Sequence, residues 1–578
     1  MGCADGPPIL TGEPTAGSIV VGSEPHNPPF ASRDRPTRLR SLSYAAIAMR
    51  PLANGRLVAF GFAVVVAAGL VASSDVATKP VDAAEPPPNI VVIITDDMRT
   101  DQIDTMSTVM SEVVGKGRRF DLAFAGDALC CPSRLSFLRG QEAHTHTLYN
   151  TVNPTTSSSP YSRYSGGDWA KRVGVDRPTL ANWLHQLGYF TAESGKFLNG
   201  YAGRTGIPGW DFWRQKLGGY YDFKVAVNGQ WVVYDHGEYE ADVVTDQAVA
   251  GIQASGTAPL FLWTAYFAPH TPFLPPARYD TASEAPQCEN EDITQLPSFD
   301  EAARDVGGLT DKPRWLKRRP PLTAAEVQDK GVTRMVDSCR ALLAVDDGVA
   351  RILAALEQKD PGLDNTIVLF TSDQGVQNGQ HQHDAKKVPY EETIRIPFVV
   401  RADGLLGGAA SVDREHLVAN VDLAPTLLDL VGVDPATIKP GCPDSNDVYE
   451  TRCVERGGGF DGKSFAPLLT GGPYTPRNEV LLEHWDPRAV ASSLGFEYVP
   501  SYCGVRSATA KLIVYDRGRG LDWEAYDLVA DPNELRSVVY SGTDGVPKFR
   551  TGGKAIYDAL APVLARVCDP PPPQHAGV

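Results

Sequence analysis

Short, unbroken apolar runs recur along this chain, and helical patterns lie between them. Asn89-Ile90-Val91-Val92-Ile93-Ile94 is β-branched with no polar alternation, as expected of a strand buried on both faces of a mainly parallel sheet. Leu260-Phe261-Leu262-Trp263 and Thr366-Ile367-Val368-Leu369-Phe370 repeat the pattern. Residues 179–188 predict a helix ending on a glycine. Residues 337–358 predict a longer one with Leu342, Val345, Val349, Ile352, Leu353 and Leu356 on one face. Strands alternating with helices predict an α/β fold: a large doubly wound, mainly parallel sheet sandwiched by helices, with its site at the carboxyl ends of the strands. Residues 471–477 break the pattern. Beyond them lie the strand-like pieces Lys511-Leu512-Ile513-Val514-Tyr515 and Glu524-Ala525-Tyr526-Asp527-Leu528, then a helical stretch over 555–567. These predict a smaller C-terminal α+β domain at 475–568, following a main domain at 89–474. No internal repeat is visible, and residues 569–578 form a Pro-rich tail.

The amino end reads differently. Residues 1–48 lack apolar periodicity and are expected to be disordered, or to precede the true start at Met49. Residues 49–88 have the order of an export signal: Arg50 and Arg56, an apolar run over 57–72, small residues over 72–77, and the spacer Glu85-Pro86-Pro87-Pro88. The run is short for a spanning helix, so a membrane association is expected only if the signal stays uncleaved. The remainder is expected to be secreted or held at the cell surface. No asparagine lies in an N-glycosylation sequon, which favours a bacterial source.

Composition narrows the function classes. With 578 residues, 42% hydrophobic and 21% charged, the chain is neither disordered nor fibrous. A net charge of −16 argues against nucleic acid as a partner, though not against a small anion in a locally positive pocket. Outside Cys3 and Cys130, seven cysteines remain: Cys131, Cys288, Cys339, Cys442, Cys453, Cys503 and Cys568. An odd set in an exported chain implies disulfides with one thiol left over, and Cys442 with Cys453 is the simplest pair.

The candidate chemistry sits at the strand ends. Thr95-Asp96-Asp97-Met98 comes directly after the first strand and Ser372-Asp373-Gln374-Gly375 directly after the third. Parallel strands deliver both to one rim, so Asp96, Asp97, Asp373 and Gln374 predict an all-oxygen shell for Ca²⁺ or Mg²⁺, with Ca²⁺ preferred. Leu129-Cys130-Cys131-Pro132-Ser133-Arg134, running to Gly140, predicts a short helix whose first turn, with Cys130, attracts an anion.

Cys130-x-Pro132-Ser133-Arg134 resembles the sulfatase signature, flanked in the family's order by the two acidic strand ends. The resemblance spans roughly residues 88–550. Ser194-Gly195-Lys196-Phe197-Leu198-Asn199-Gly200-Tyr201, Ile207-Pro208-Gly209-Trp210-Asp211, and Tyr220 to Phe223 with Val227-Asn228-Gly229 are similar to the N-acetylglucosamine-6-sulfatase branch. Phe267-Ala268-Pro269-His270-Thr271-Pro272-Phe273 matches the family's histidine loop, Lys386 with Tyr390-Glu391 its lysine segment, and Tyr526-Asp527-Leu528 with Asp531-Pro532-Asn533-Glu534 its closing motif.

The resemblance implies an alkaline-phosphatase-like fold, oxidation of Cys130 to formylglycine by a maturation enzyme, and one Ca²⁺ held by Asp96, Asp97, Asp373, Gln374 and residue 130. It implies a sulfated carbohydrate substrate, 6-O-sulfated glucosamine in a glycosaminoglycan. In that scheme one hydroxyl of hydrated formylglycine attacks sulfur, and loss of the second hydroxyl's proton later expels sulfate. Lys196, Lys386 and Arg134 offset the charge, and His270 is the candidate acid for the leaving alcohol. Gln374 departs from the Asn or His commonly seen there. Leu198 stands where many arylsulfatases carry a histidine, so the base for sulfate elimination is unassigned. His381 and His383 are expected at the rim, His144 and His146 in structural or outer-shell roles, and Asp346-Asp347 on a solvated helix face. An arylsulfatase, a phosphonate or phosphate monoester hydrolase of the same superfamily, and a non-catalytic carbohydrate-binding relative are the competing readings.

Overall fold

The fold was read from a computed structural model. It describes residues 86–568 apart from 150–177, 200, 304–307, 318, 408, 443–452, 454–456, 486–498, 517–519 and 543. The export-signal reading and the Pro-rich tail lie outside these residues, except for the end of the spacer. The predicted domain boundary at 474/475 stays an expectation.

Four fully or largely buried strands form the centre of a ten-stranded sheet: β1 (Asn89–Thr95), β2 (Phe190–Gly195), β3 (Leu260–Ala265) and β4 (Thr366–Ser372). They lie in the order β4-β1-β3-β2 and run parallel, joined on the far side of β2 by parallel Phe212–Leu217. β1, β3 and β4 are largely apolar on both faces because both faces are covered, while β2 buries the polar Thr191, Glu193 and Ser194 among its residues. Val91, Ile93, Leu262 and Phe370 pack under the helices on one side. Ile90, Val92, Ile94, Trp263 and Leu369 pack on the other. The sheet is mixed at its margins: Phe398–Arg401 pairs antiparallel with β4, and the hairpin Phe223–Val227 and Gln230–Tyr234 closes the opposite edge.

Three helices matter for the site. α1 (Cys130–Arg139) is buried along its length and stops at Gly140 in a left-handed conformation. α2 (Glu240–Ala254) and α3 (Arg334–Glu357) pack together under the sheet, α3 with the predicted apolar face inward. The helix predicted over 179–188 spans Leu180–Gln186, capped by Thr179.

One expectation on α3 is overturned. Asp347 is partly exposed and meets Arg278 and Tyr279, but Asp346 is buried. Its carboxylate accepts from the backbone N–H groups of Thr108 and Val109, both at 2.8 Å, and so ties α3 to the segment after β1. A helical period marks which face an acid lies on, not what arrives to cover it.

A second, antiparallel sheet runs in the order Glu479–His484, Tyr502–Ser507, Ala510–Asp516, Leu521–Asp527, Val539–Ser541, Pro547–Phe549. The helix Gly553–Val567 packs on it and is tied to it by Cys503–Cys568. One apolar cluster is shared between this sheet and the main layer, through Phe124, Tyr390 and Ile394 against Val480, Leu482, Tyr502, Tyr515 and Tyr526. Cys442–Cys453 forms as expected, Cys288–Cys339 is the third bridge, and Cys131 is the thiol left over.

Candidate active site

Strand register builds the rim. Thr95 pairs with Ser372, Ile94 with Ala265, and Gly195 with Ala265, so four neighbouring strands finish level. Asp96 and Asp97, Asp373 and Gln374, Lys196, and the loop carrying His270 therefore emerge side by side. Gly195 is required here. Its φ is +105°, and a Cβ would stand 2.0 Å from the Ala265 carbonyl oxygen, so any other residue would push Lys196 off the rim.

All nine residues singled out from the sequence meet at this point. The carboxylate oxygens of Asp96, Asp97 and Asp373 lie within 4.8 Å of one another, fully buried. The Cys130 thiol, at the first turn of α1, donates to Asp96 Oδ1 at 3.4 Å. Lys386 Nζ lies 2.6 and 2.8 Å from the Asp97 oxygens and 3.0 Å from Cys130 Sγ. Lys196 bonds Asp96, and Arg134 bridges Asp373 Oδ2 at 2.7 Å and Asp96 Oδ2 at 3.2 Å. His270 Nε2 is 3.6 Å from Asp97 Oδ2. Of the adjacent lysines, Lys386 is the one at the thiol; the Lys387 backbone N–H caps the Ala128 carbonyl at 3.1 Å.

Charge explains the protonation pattern. Burial by itself would raise the Asp96 carboxyl, but Lys196, His270, Arg134 and Lys386 hold it well below the usual carboxylate range. Asp373 goes the other way: burial and the Asp96 charge raise it, in spite of Arg134. Burial and Asp96 push the Cys130 thiol up to about 11, so it is not a thiolate at neutral pH. Burial and the Lys386 charge lower His270 to about 4, which leaves its ring neutral. Its Nδ1–H donates to the Thr271 carbonyl at 2.6 Å, so Nε2 turns a lone pair toward Asp97.

The donor set fits a hard divalent cation. It is all oxygen, buried and convergent, as Ca²⁺ and Mg²⁺ require. Gln374 supports the fit. Its Nε2 bonds Asp97 and lies 3.5 Å from Cys130 Sγ, while its buried Oε1 has no hydrogen-bond partner. Half a turn of the amide would bring that oxygen to the same point. Three carboxylates balance Arg134, Lys196 and Lys386, so a divalent cation would leave the cradle positive and suited to an anionic ester.

Two histidines are not where the sequence placed them. His381 and His383 are buried away from the rim, His381 against Glu301 at 2.8 Å and His383 against the Lys386 carbonyl at 3.2 Å. A tight turn with positive φ at His381 and Gln382 folds them inward. His144 and His146 make structural contacts, to Glu483 at 3.0 Å and to Ser136 Oγ at 3.2 Å.

Sequence reasoning missed the supports. Glu240, at the head of α2, accepts from the N–H groups of Phe267 and Ala268, both at 2.9 Å. The Tyr220 hydroxyl donates to the His270 carbonyl at 2.6 Å, and Ser133 Oγ bonds the Asp373 carbonyl. An isolated glutamate carries no motif, and the helix that Glu240 heads was not among those read from the sequence.

The chain is similar to known sulfatases. The sequence profile of the Sulfatase family matches residues 88–433. N-acetylglucosamine-6-sulfatase of Capra hircus is 29% identical over 503 residues, covering 78% of this chain and 80% of the relative. The human protein of the same name is 29% identical over 502 residues, with 78% and 81% covered. Among solved structures, one bound to its substrate D-glucosamine-2-N,6-O-disulfate superposes with a TM-score of 0.60 at 24% identity, covering 84% of this chain and 97% of that one. It shares the alkaline-phosphatase-like fold. The profile match takes in more than half of the chain and every residue placed around Cys130, so this chain belongs to the Sulfatase family and is a sulfuric ester hydrolase.

Proposed function

We propose that the enzyme is exported and releases inorganic sulfate from 6-O-sulfated N-acetylglucosamine units of glycosaminoglycans, with residue 130 as nucleophile after oxidation to formylglycine. The observation that carries the reading is Cys130 at the head of α1, within reach of Asp96, Gln374 and Lys386 beside three converging carboxylates. The sugar rests on the mammalian relatives named N-acetylglucosamine-6-sulfatase, which align over most of both chains. A thiol held protonated is a poor nucleophile, which favours prior conversion by a formylglycine-generating enzyme.

Asp96, Asp97, Asp373, Gln374 and residue 130 would hold Ca²⁺. Bound there, the cation would supply Lewis-acid stabilisation of negative oxygen, and hydrated formylglycine a pair of geminal hydroxyls. The remaining work belongs to side chains. Lys386 and Lys196 place fixed positive charge beside residue 130 and offset the sulfate's charge. Arg134 locks Asp96 and Asp373 in place, both pairs fully buried. His270 is neutral and must gain a proton at Nε2 before it can protonate a leaving alcohol. Asp97 at 3.6 Å and an anionic ester favour that protonation, while burial and Lys386 oppose it.

The test is hydrolysis of N-acetylglucosamine 6-sulfate beside 4-nitrophenyl sulfate and the matching phosphate and phosphonate esters. A kcat/KM for the sugar sulfate at least tenfold above each of the others is expected. Preference for a phosphorus ester, or for the aryl sulfate, contradicts the reading.

A further inference from the structure

We propose that His381, Glu392 and Glu534 form a second divalent-cation site, of zinc class, apart from the cradle around Cys130. His381 sits in the tight turn between the paired segments Gln377–Asn378 and Asp384–Ala385, its ring stacked on Tyr390 at 4.1 Å and fully buried. Nδ1 lies 2.8 Å from Glu301 Oε2. That contact fixes the N–H on Nδ1 and aims the Nε2 lone pair away, the arrangement that orients metal-binding imidazoles.

Nε2 then meets no hydrogen-bond partner. The nearest acidic oxygen is Glu392 Oε2 at 3.8 Å, also buried and without a hydrogen-bond partner. A Glu534 oxygen completes a triangle of donors all within 4.8 Å. A neutral imidazole lone pair facing a carboxylate is repulsive unless something positive lies between them.

The surroundings are rich in acids: the carboxylates of Glu301, Glu391, Glu392, Glu524 and Glu534 stand against Lys312, Lys511 and Arg506, with Arg99 beside Glu392 on the cavity side. One imidazole nitrogen with carboxylate oxygens suits Zn²⁺ better than Ca²⁺. At Zn–donor distances of about 2.0–2.2 Å, donors stand about 3.4 Å apart, so the 3.8 Å gap needs only a small contraction. A cavity of about 330 Å³, lined in part by Glu392, Arg99 and Asn533, reaches the Glu392 side of the group.

The position gives such an ion a task. Glu392 lies in the short helix that comes after the Lys386 segment, and Glu534 comes after Leu521–Asp527 of the second sheet. A shared cation would fasten the loop that presents Lys386 to that sheet.

The inference does not depend on the reading of the first site, and its test reads metal, not turnover. The full chain is loaded with Zn²⁺, and its zinc content and affinity are measured for wild type and for Glu392→Gln, Glu301→Gln and Asp97→Asn. Zinc-edge anomalous diffraction then locates the ion in the wild type. One zinc between His381 Nε2 and Glu392 Oε2 is expected. Affinity should fall tenfold to a hundredfold in Glu301→Gln, more in Glu392→Gln, and little in Asp97→Asn. Absence of an anomalous peak at His381 in the wild type overturns the proposal, whatever the variants do; so does zinc loss confined to Asp97→Asn.

Discussion

Cys130 is buried, protonated and surrounded by groups that a thiol does not need. Three carboxylates and three basic side chains crowd around one sulfur, and a structural thiol would be better served by apolar neighbours. The arrangement makes sense for an oxygen nucleophile and an anionic ester. Lys386 should then be among the most sensitive positions: Lys386→Met is expected to lower kcat by about 10²–10³-fold, as loss of a charge aimed at the reacting centre does. Steady-state kinetics on 4-nitrophenyl sulfate measures it, and a change confined to KM would contradict the role. Lys387→Met, one residue on, should leave kcat within a few-fold. Gln374 is a test of the cation shell. If its oxygen is a ligand, Gln374→Leu raises the Ca²⁺ concentration for half-maximal activity at least tenfold, whereas an unchanged requirement removes it from the set.

Among elements, the loop after β3 and the strand Glu479–His484 each hang on a buried acid. Glu240 holds Phe267 and Ala268, and through them His270. Glu240→Ala leaves two buried N–H groups unpaired, so kcat should fall tenfold or more through a misplaced imidazole, with Glu240→Gln largely restoring it. Equal damage from both variants would point instead to the charge. His144 offers a stability readout. Burial would lower its pKa, but the Glu483 carboxylate raises it to about 9, above the unfolded value near 6.5. Its contribution is therefore complete below about pH 6.5 and disappears as pH climbs through about 9, worth up to about 3 kcal/mol. Buried Glu142, raised by burial and Glu483, adds a loss in the same direction. Thermal melts from pH 6 to 9.5 should show a steeper decline for wild type than for His144→Gln. Parallel curves would dismiss the pair.

Over the whole molecule, most of the central layer was legible because β1, β3 and β4 declare themselves by unbroken apolar runs, whereas β2, carrying Thr191, Glu193 and Ser194, shows none and was missed. The active-site rim was legible because level parallel strands bring the residues just past their carboxyl ends to one edge: Asp96, Asp97, Asp373 and Gln374 needed no long-range information beyond strand direction. The cover and the supports were hidden. Asp346 reads as a surface acid until the segment at Thr108 and Val109 lies over it, and His381 reads as a rim residue until its turn folds inward. The antiparallel margins of the main sheet were missed for the same reason, since short edge strands carry too few residues to show a period. Chelation probes the assembled site at this scale: dialysis against EDTA should abolish turnover, and Ca²⁺ should restore it while the fold persists by circular dichroism.

The claim on which the rest depends is that residue 130 acts as an oxygen nucleophile and not as a thiol. Mass spectrometry of the peptide spanning Leu129 to Arg134, taken from catalytically active protein, tests it directly. The account predicts an aldehyde at residue 130 in a fraction that tracks specific activity; full activity from protein carrying only the free thiol contradicts it.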